Sequence, residues 1–420
     1  MFLTCKINGR LVACIALVIL SLQANAALTL SEAEKLSLSN DPGVAASRAR
    51  SLALSENAIA EGQLADPKIN AGIFNLPLDS FDHDKEPTTQ LRLGIQQAFP
   101  RGRTLRYKQH RSEWQSMTEQ AKADDKASKV LRDVRSHFLE LYYQIRAEQV
   151  IEETRKLFSQ LVDITQLHYA TGRVRQQDVL RASLELSRLD DRSTQIQTEQ
   201  EIYRARLMKW VGDSALQPIA KLFPDLPELP EKENLEAALQ EHPLIRAETA
   251  RIESFNQGVQ ISREQYKPGW NVGLEYRKRF GNEPGGDERS DMMAAMVSVD
   301  LPLFTGKRQD KRLAASVQQA EAAELTRTDR LRELKTLLDS DYATWLRLGE
   351  RAQRYEVQLL REAKANSTAS LKAYQAGVTE FSTLMRARIT DLDVRLDELR
   401  IRVDRAKAQA RLLYLAGENR

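Results

Sequence analysis

Side chains that could carry out chemistry are present in the chain, but not at the spacing that chemistry requires. Asp82-His83-Asp84 offers two carboxylates and an imidazole, yet three consecutive residues of a polar loop make a weak ligand set. Met292, Met293 and Met296 are interpreted as apolar packing. Gly306-Lys307-Arg308 lacks the upstream glycine and the hydroxyl residue of a phosphate-binding loop. We therefore expect no catalytic residue, no cofactor and no metal centre, and hence no enzyme.

The N-terminal segment predicts export. Two basic residues precede the apolar stretch Leu11–Leu22, and small residues supply a cleavage site after Ala26. Cys5 and Cys14 both lie in this signal, so the mature chain is expected to have neither disulfides nor thiol chemistry. A lipid on Cys14 stays an open alternative.

Charge and hydropathy exclude two classes of protein. The formal net charge is +3 with 29% charged residues, which is no electrostatic footprint for nucleic acid. No stretch of about 18 apolar residues occurs, so no transmembrane helix is expected. If the chain enters a membrane, it must do so as strands of a closed barrel.

Two stretches predict very long helices. Arg101–Gln217 and Leu303–Arg420 contain no proline and few glycines, and each is expected to be a helical pair that turns near Gly172 or Gly377. Apolar residues recur every three or four positions in the first stretch, which indicates a coiled-coil seam through Val130, Val134, Phe138, Leu141, Ile145, Leu157, Leu161 and Ile164.

The chain reads as an internal duplication. Short motifs recur about two hundred residues apart, such as Tyr169-Ala170-Thr171-Gly172 and Tyr374-Gln375-Ala376-Gly377. After the signal at 1–26, we predict a first repeat at 27–217, a proline-rich linker at 218–231 and a second repeat at 232–420. Each repeat is expected to contain a first helix (about 31–64 or 234–266), two strands and a long helical hairpin.

Alternating segments predict strands that face lipid. Apolar and polar residues alternate over segments of barrel-strand length. The residues expected on the lipid side are Leu91, Leu93, Ile95, Trp270, Leu274, Val297 and Val299. Four strands cannot close a barrel and a membrane does not tolerate open edges, so strands must be pooled from several copies. Three copies would give twelve strands.

The ordered set of motifs resembles the TolC-like outer-membrane efflux proteins. The resemblance is carried by the duplicated plan and by the Tyr-x-x-Gly turns, which are followed by Asp178-Val179-Leu180 and Phe381-Ser382-Thr383-Leu384. The runs Glu86–Gln90 and Gln97–Gly102 look like the Czc-type heavy-metal branch. The resemblance implies a mainly α fold with a small β part. It also implies a homotrimer with a twelve-stranded transmembrane β-barrel and an α-barrel tunnel of helical hairpins.

The same resemblance implies a function and partners. The chain would be a passive outer-membrane conduit for heavy-metal cations, working with an inner-membrane RND-type pump and a periplasmic adaptor (a membrane fusion protein). The hairpin tips would dock the adaptor through Tyr169, Gly172, Val179, Leu180, Tyr374, Gly377, Phe381 and Leu384. The alternative for these residues is that they only pack the turns.

The resemblance also places a pore gate near the tips. Some family members carry acidic residues there, whereas this chain has Arg181 and Arg386, with Asp178 and Asp391 as neighbours. Rings of charge set pore selectivity, so cation preference at the gate is in doubt. These arginines could instead form intersubunit salt bridges. A different class of protein also remains open, namely a soluble periplasmic coiled-coil protein with a structural or adaptor role.

Overall fold

The computed structural model describes residues 27–418 of the 420-residue chain. The predicted signal at 1–26 and the question of Cys14 lie outside the described residues. Two compact units are present, one formed by the chain up to Val44 with Asp125–His242 and the chain from Glu333 onward, the other by Ala45–Asp124 and Pro243–Arg332. Each unit takes elements from both halves of the sequence. No helix within 27–418 has both the length and the apolar character needed to cross a membrane.

The elements follow the same order twice. They are α1 (Leu30–Asn40), α2 (Pro42–Glu61), β1 (Lys68–Phe74), β2 (Gln90–Phe99), α3 (Thr104–Ala170), α4 (Gln176–Val211), α5 (Lys232–Ala238), α6 (Pro243–Glu264), β3 (Gly269–Arg279), β4 (Met292–Asp300), α7 (Gln309–Arg354), α8 (Leu360–Gln375) and α9 (Phe381–Leu415). Short 3₁₀ turns follow α4 and α5, and a π-helical segment at Tyr355–Leu359 joins α7 to α8. The fold is mainly helical with a small antiparallel sheet, as predicted.

The first helix of each repeat was predicted as one element and is in fact two. Asp41, which precedes Pro42, has an extended backbone (φ −75°, ψ 108°), because the proline ring disfavours the helical conformation of the residue before it. The Asp41 carboxylate then accepts the Val44 N–H at 2.7 Å and caps α2. His242 before Pro243 breaks the second helix in the same way (φ −57°, ψ 137°).

The start of α1 also differs from expectation. The sequence Ser31-Glu32-Ala33-Glu34 fits a capping box that starts at Ser31, but the cap is Thr29, whose hydroxyl accepts the Glu32 N–H at 3.2 Å. The Glu32 carboxylate in turn accepts the Thr29 N–H at 2.9 Å. The motif is the expected one, shifted toward the N-terminus by two residues.

The second unit is organised around a four-stranded antiparallel sheet. Its strand order is β1-β2-β3-β4, so each strand pairs with its neighbours in sequence and β1 and β4 form the edges. The polar loops 75–89 and 280–291 join β1 to β2 and β3 to β4. Both loops therefore lie at one end of the sheet, because the strands are antiparallel.

The first unit is a set of long helices around an apolar core. Val134, Phe138 and Leu141 of α3 are fully buried, and they belong to one cluster with residues of α4 and α9 such as Leu207 and Val403. Burying a large apolar side chain contributes about 1.5–3 kcal/mol, which offsets the entropy lost in ordering such long helices.

The predicted seam of α3 is confirmed at Val130, Val134, Phe138, Leu141 and Leu161, and Ile145 is half-buried. Leu157 and Ile164 are exposed, whereas the buried residues are Ala147, Ile151, Thr154, Phe158, Leu161, Val162 and Thr165. Ala147, Thr154 and Leu161 recur at seven-residue intervals, as do Ile151, Phe158 and Thr165, so the seam keeps a heptad period but lies one residue beyond the predicted Leu157 and Ile164.

Candidate functional site

One face of the sheet is apolar and exposed. Ile95 pairs with Leu274, which pairs with Ala295, and these residues therefore lie in one row across the sheet. Trp270 and Val299 form a second row, and Val272 and Val297 a third. The side chains of all seven residues predicted to face lipid are exposed on this face, and the exposure of Leu93 is 53%.

Further residues on this apolar face were not predicted. Ile69 pairs with Ile95, Ile73 with Leu91, and Phe99 with Trp270. Tyr276 lies on the same face as the partner of Leu93. In β1, Ile69, Ala71 and Ile73 alternate with Lys68, Asn70 and Gly72, and the pairing with β2 places the apolar set on the same face as Leu91 and Ile95.

The opposite face of the sheet is mainly polar, although Met292 and Met296 of β4 also lie on it. Most residues of β2 and β3 on this face are half-buried and alternate with the exposed apolar ones; the alternation breaks near the end of β2, where Gln97 is half-buried and Ala98 is exposed. A shallow cavity on this face is lined by Asn70, Gln96, Asn271, Glu275, Arg277 and Ser298. The Glu275 carboxylate lies 2.5 Å from Nε of Arg277 and 3.8 Å from Nε of Arg92.

Both helical hairpins turn through the same glycine motif. Gly172 and Gly377 have φ values of +72° and +71°, a conformation that other residues adopt only with strain. The Arg173 N–H donates to the His168 carbonyl and the Gly172 N–H to that of Tyr169, at 2.8 and 2.9 Å. The corresponding bonds of Val378 and Gly377 in the second hairpin are 2.9 and 3.0 Å. These Schellman turns satisfy the last carbonyls of α3 and α8.

The residues predicted to dock a partner fall into two groups. Tyr169, Gly172, Leu180 and Gly377 are exposed, while Val179 and Tyr374 are half-buried. Phe381 and Leu384 are buried in the apolar core, and Tyr374 packs against this core. The centres of the Tyr374 and Phe381 rings lie 5.6 Å apart. The structure thus gives Phe381 and Leu384 the packing role that was the alternative interpretation.

The two tips lie side by side within the first unit. A groove between them is lined by His168, Arg175 and Asp178 from one hairpin and by Tyr374, Gly377 and Phe381 from the other. Burial, with a smaller contribution from Asp178, raises the pKa of Tyr374. The Tyr374 hydroxyl is shielded from solvent and has no hydrogen-bond partner among the described residues.

The residues predicted to form the gate are not paired with each other. Arg181 and Arg386 are exposed, and neither forms an ion pair with Asp178, Asp391 or any other described residue. Asp178 instead accepts the Arg175 N–H at 3.4 Å and so caps α4. Within one chain, these guanidinium groups therefore remain available to a neighbouring copy or to the solvent.

The exposed Asp82-His83-Asp84 segment brings three potential ligand atoms within 4.8 Å of one another. The His83 ring packs edge-on against Phe280 at 4.8 Å, and the Asp84 N–H donates to the Asp82 carboxylate at 2.9 Å. These contacts explain why the three ligand atoms lie close together. The segment forms a local turn in the loop 75–89 and packs against the loop 280–291.

A protein-family model matches the second half of the chain. Residues 234–418 match the family model described as outer membrane efflux protein, a family of conduits rather than enzymes. No curated protein matches the chain in sequence.

Solved structures match nearly the whole chain. The outer membrane protein VceC from Vibrio cholerae superposes with a TM-score of 0.78 at 17% identity, covering 93% of this chain and 96% of VceC. CusC, solved in work on folding and transmembrane channel formation, gives 0.78 at 13% identity, covering 95% and 96%. The open state of the Neisseria gonorrhoeae MtrE outer membrane channel gives 0.76 at 15% identity, covering 92% and 88%. The second half of this chain thus carries the sequence pattern of the outer membrane efflux proteins, and the chain as a whole has the fold of these outer-membrane channels.

Proposed function

We propose that the chain is one subunit of an outer-membrane efflux channel that extends into the periplasm. It would act as a passive conduit from the periplasm to the exterior and would catalyse no reaction. The observation that carries the proposal is the two-faced sheet, which is apolar and exposed on one side and mainly polar on the other. Lipid outside and water inside a barrel wall favour this distribution of side chains.

The free edges of the sheet support a trimer. The outer strands β1 and β4 each have one side without a strand partner in the chain. Unpaired backbone groups in lipid cost several kcal/mol each, so β4 of one copy must pair with β1 of the next. Three copies would close a ring of twelve strands, within the size range of known barrels. The long hairpins of the three copies would continue the ring as an α-barrel tunnel.

Partners are proposed at the hairpin tips. The exposed Tyr169 and Leu180 and the groove beside Tyr374 form a surface on which a periplasmic adaptor could dock, bringing with it an inner-membrane RND-type pump. We place the gate at the same end, where Arg181 and Arg386 of three copies would approach one another. Heavy-metal cations as the cargo stay a prediction that rests on the resemblance to the Czc-type branch alone.

A charged substitution on the apolar face tests the proposal. Leu93→Arg should prevent assembly in the outer membrane, because a guanidinium on the lipid side costs about 2–4 kcal/mol per chain near the bilayer centre. Gln96→Arg is the matched control, since Gln96 lies on the polar face of the same strand and pairs with Gly273. The measurement is the amount of each variant in the outer-membrane fraction.

The two variants separate the competing interpretations. If Leu93→Arg is lost from the outer-membrane fraction while Gln96→Arg is retained, the result supports the apolar face of the sheet as the lipid-facing wall of a barrel. If both variants and the wild-type protein stay in the soluble periplasmic fraction, the chain is the coiled-coil structural or adaptor protein that the sequence left open. No feature of the fold favours that alternative, because it would leave the apolar face of the sheet in water.

A further inference from the structure

The polar face of the sheet carries an excess of guanidinium groups at the end that adjoins the loops. Arg92 of β2 and Arg277 of β3 are direct pairing partners, and Arg279 lies on the same face two residues farther along β3. Among the strand residues at this end of the polar face, the one carboxylate is Glu275. At the opposite end, Lys68 and Asp300 carry opposite charges.

A single carboxylate oxygen serves two of these arginines. Oε1 of Glu275 lies 2.5 Å from Nε of Arg277 and 3.8 Å from Nε of Arg92. The Arg92 guanidinium also stacks on the Phe74 ring at 4.0 Å, and its Nε is shielded from solvent without a hydrogen-bond partner in the described structure. Arg279 forms no ion pair with any described residue. Each chain therefore contributes positive charge that its own carboxylates do not neutralise.

This arrangement is unfavourable for the sheet alone. Like charges placed directly opposite each other on neighbouring strands are destabilising, and one shared carboxylate offsets only part of the repulsion. Guanidinium groups present planar sets of donors that match carboxylate and phosphate oxygens. An anion near Arg92, Arg277 and Arg279 would supply the missing negative charge.

We propose that Arg92, Arg277 and Arg279 form a basic band that makes the barrel section of the channel prefer anions. The inference rests on the proposed function, because only in a closed barrel does the polar face become the wall of a pore. Three copies would bring nine guanidinium groups and three carboxylates to one level of that wall. The cargo favoured at this level is a solute with carboxylate, phosphate or oxyanion groups, rather than a free metal cation.

The loops beyond the band have the opposite charge. They carry Asp79, Asp82, Asp84, Glu86, Glu283, Asp287, Glu288 and Asp291 against Lys85 and Arg289. All of these side chains except the half-buried Arg289 are exposed, and some are paired, as Asp79 is with Lys85 at 2.5 Å. Charges in open solvent are screened beyond a Debye length of about 8 Å, whereas charges in the wall of a pore act directly on the permeating ion.

Reversal potentials in planar lipid bilayers under a KCl gradient test the band. We expect the wild-type protein to prefer chloride over potassium. Arg277→Gln should lower the chloride-to-potassium permeability ratio by up to about 25-fold per charge removed, because one unit charge about 4 Å away in water favours chloride and disfavours potassium by a factor of about five each. Glu275→Gln should raise the ratio. Lys278→Gln is the matched control, because Lys278 lies next to Arg277 in β3 but on the apolar face, and this change should leave the ratio as it is.

The outcomes separate this inference from the proposed function. Protein that fails to insert into lipid bilayers would overturn the channel itself and the band with it. Conductance that prefers potassium would leave the channel intact and overturn the band, with the loop carboxylates then setting selectivity. Equal permeability ratios in Arg277→Gln, Glu275→Gln and the wild type would also overturn the band. Opposite shifts in the two variants, with no shift in Lys278→Gln, would support it.

Discussion

At the residue scale, the helical unit is held by charges that are buried and paired. Arg135 of α3 is only 4% exposed, and its guanidinium contacts Glu34 of α1 at 2.6 Å and Glu418 after α9 at 3.0 Å. One side chain thus ties the first helix and the C-terminal end of the described chain to the longest helix. Such a cluster contributes little net free energy while complete, but it costs much when one partner is removed.

Removing Arg135 should therefore destabilise the protein strongly. We expect Arg135→Ala to lose about 3–5 kcal/mol of unfolding free energy, because two carboxylates remain without a partner. Arg188→Ala is the control, since Arg188 is 65% exposed and pairs with Glu185 on the surface of α4. That surface pair should contribute at most about 1 kcal/mol. Thermal unfolding in detergent measures both variants, and equal melting temperatures would contradict the role given to Arg135.

A buried histidine should make the same unit sensitive to acid. The His242 ring is fully buried, packs edge-on against Tyr414 at 5.0 Å and has Nε2 at 3.2 Å from the Tyr414 carbonyl. Burial lowers the pKa of His242, with a partial opposing effect of Asp125 and a small contribution in the same direction from Lys129. The unfolded chain, with a histidine pKa of about 6.5, then binds more protons than the folded one at acidic pH.

The sign of the pH dependence follows from this difference. The contribution of His242 is fully present above about pH 6.5 and decreases as the pH falls through the folded-state pKa. We expect His242→Gln to lose less thermal stability than the wild type when the pH is lowered from about 7.5 to 5. Burial lowers the pKa of His137 as well, so part of the acid sensitivity should remain. A melting temperature that falls equally in both proteins would count against His242.

At the scale of elements, the hairpin turns depend on glycine for its backbone conformation, and this effect can be separated from that of packing. At Gly377, φ is +71° and no atom lies within 4 Å of an added Cβ, so a side chain there meets backbone strain but no steric contact. Gly258 of α6 has equally open surroundings but no positive φ. Alanine substitutions at Gly377 and Gly258 therefore separate the effect of backbone conformation from the effect of packing.

Substituting these two glycines should change stability in opposite directions. Gly377→Ala should cost about 1–2 kcal/mol and increase amide exchange at the end of α8, because alanine disfavours the left-handed conformation. Gly258→Ala should stabilise the protein by about 0.5–1 kcal/mol, because it removes glycine from a helix interior. Hydrogen exchange and thermal unfolding report both effects. Unchanged exchange in Gly377→Ala would show that the turn does not depend on the glycine.

The sequence predicts these elements unequally well. Long helices, their turns and the apolar face of the sheet follow from short-range rules, because proline, glycine and alternation act within a few residues. The breaks at Pro42 and Pro243 were missed although their signal was present. The shift of the buried stripe beyond Ile145, the burial of Phe381 and the meeting of Arg92 with Arg277 depend on neighbours distant in sequence, which no local pattern reveals. The π-helical segment at Tyr355–Leu359 has no signal that we can identify.

At the scale of the whole molecule, one chain is incomplete as a membrane protein. Its sheet exposes an apolar face and ends in two edge strands, β1 and β4, each of which has one side without a strand partner in the chain. In the proposed channel, lipid covers the apolar face and neighbouring copies pair with the free edges, because an exposed apolar sheet with free edges would otherwise associate without order. The proposed trimer satisfies both requirements with a single repeated contact between β4 and β1.

Native mass spectrometry of the protein extracted from the outer-membrane fraction tests this claim most directly. We predict that the protein requires detergent to leave the membrane and that it is released in the gas phase as an assembly of three chains. A single chain that purifies in water without detergent would contradict the account.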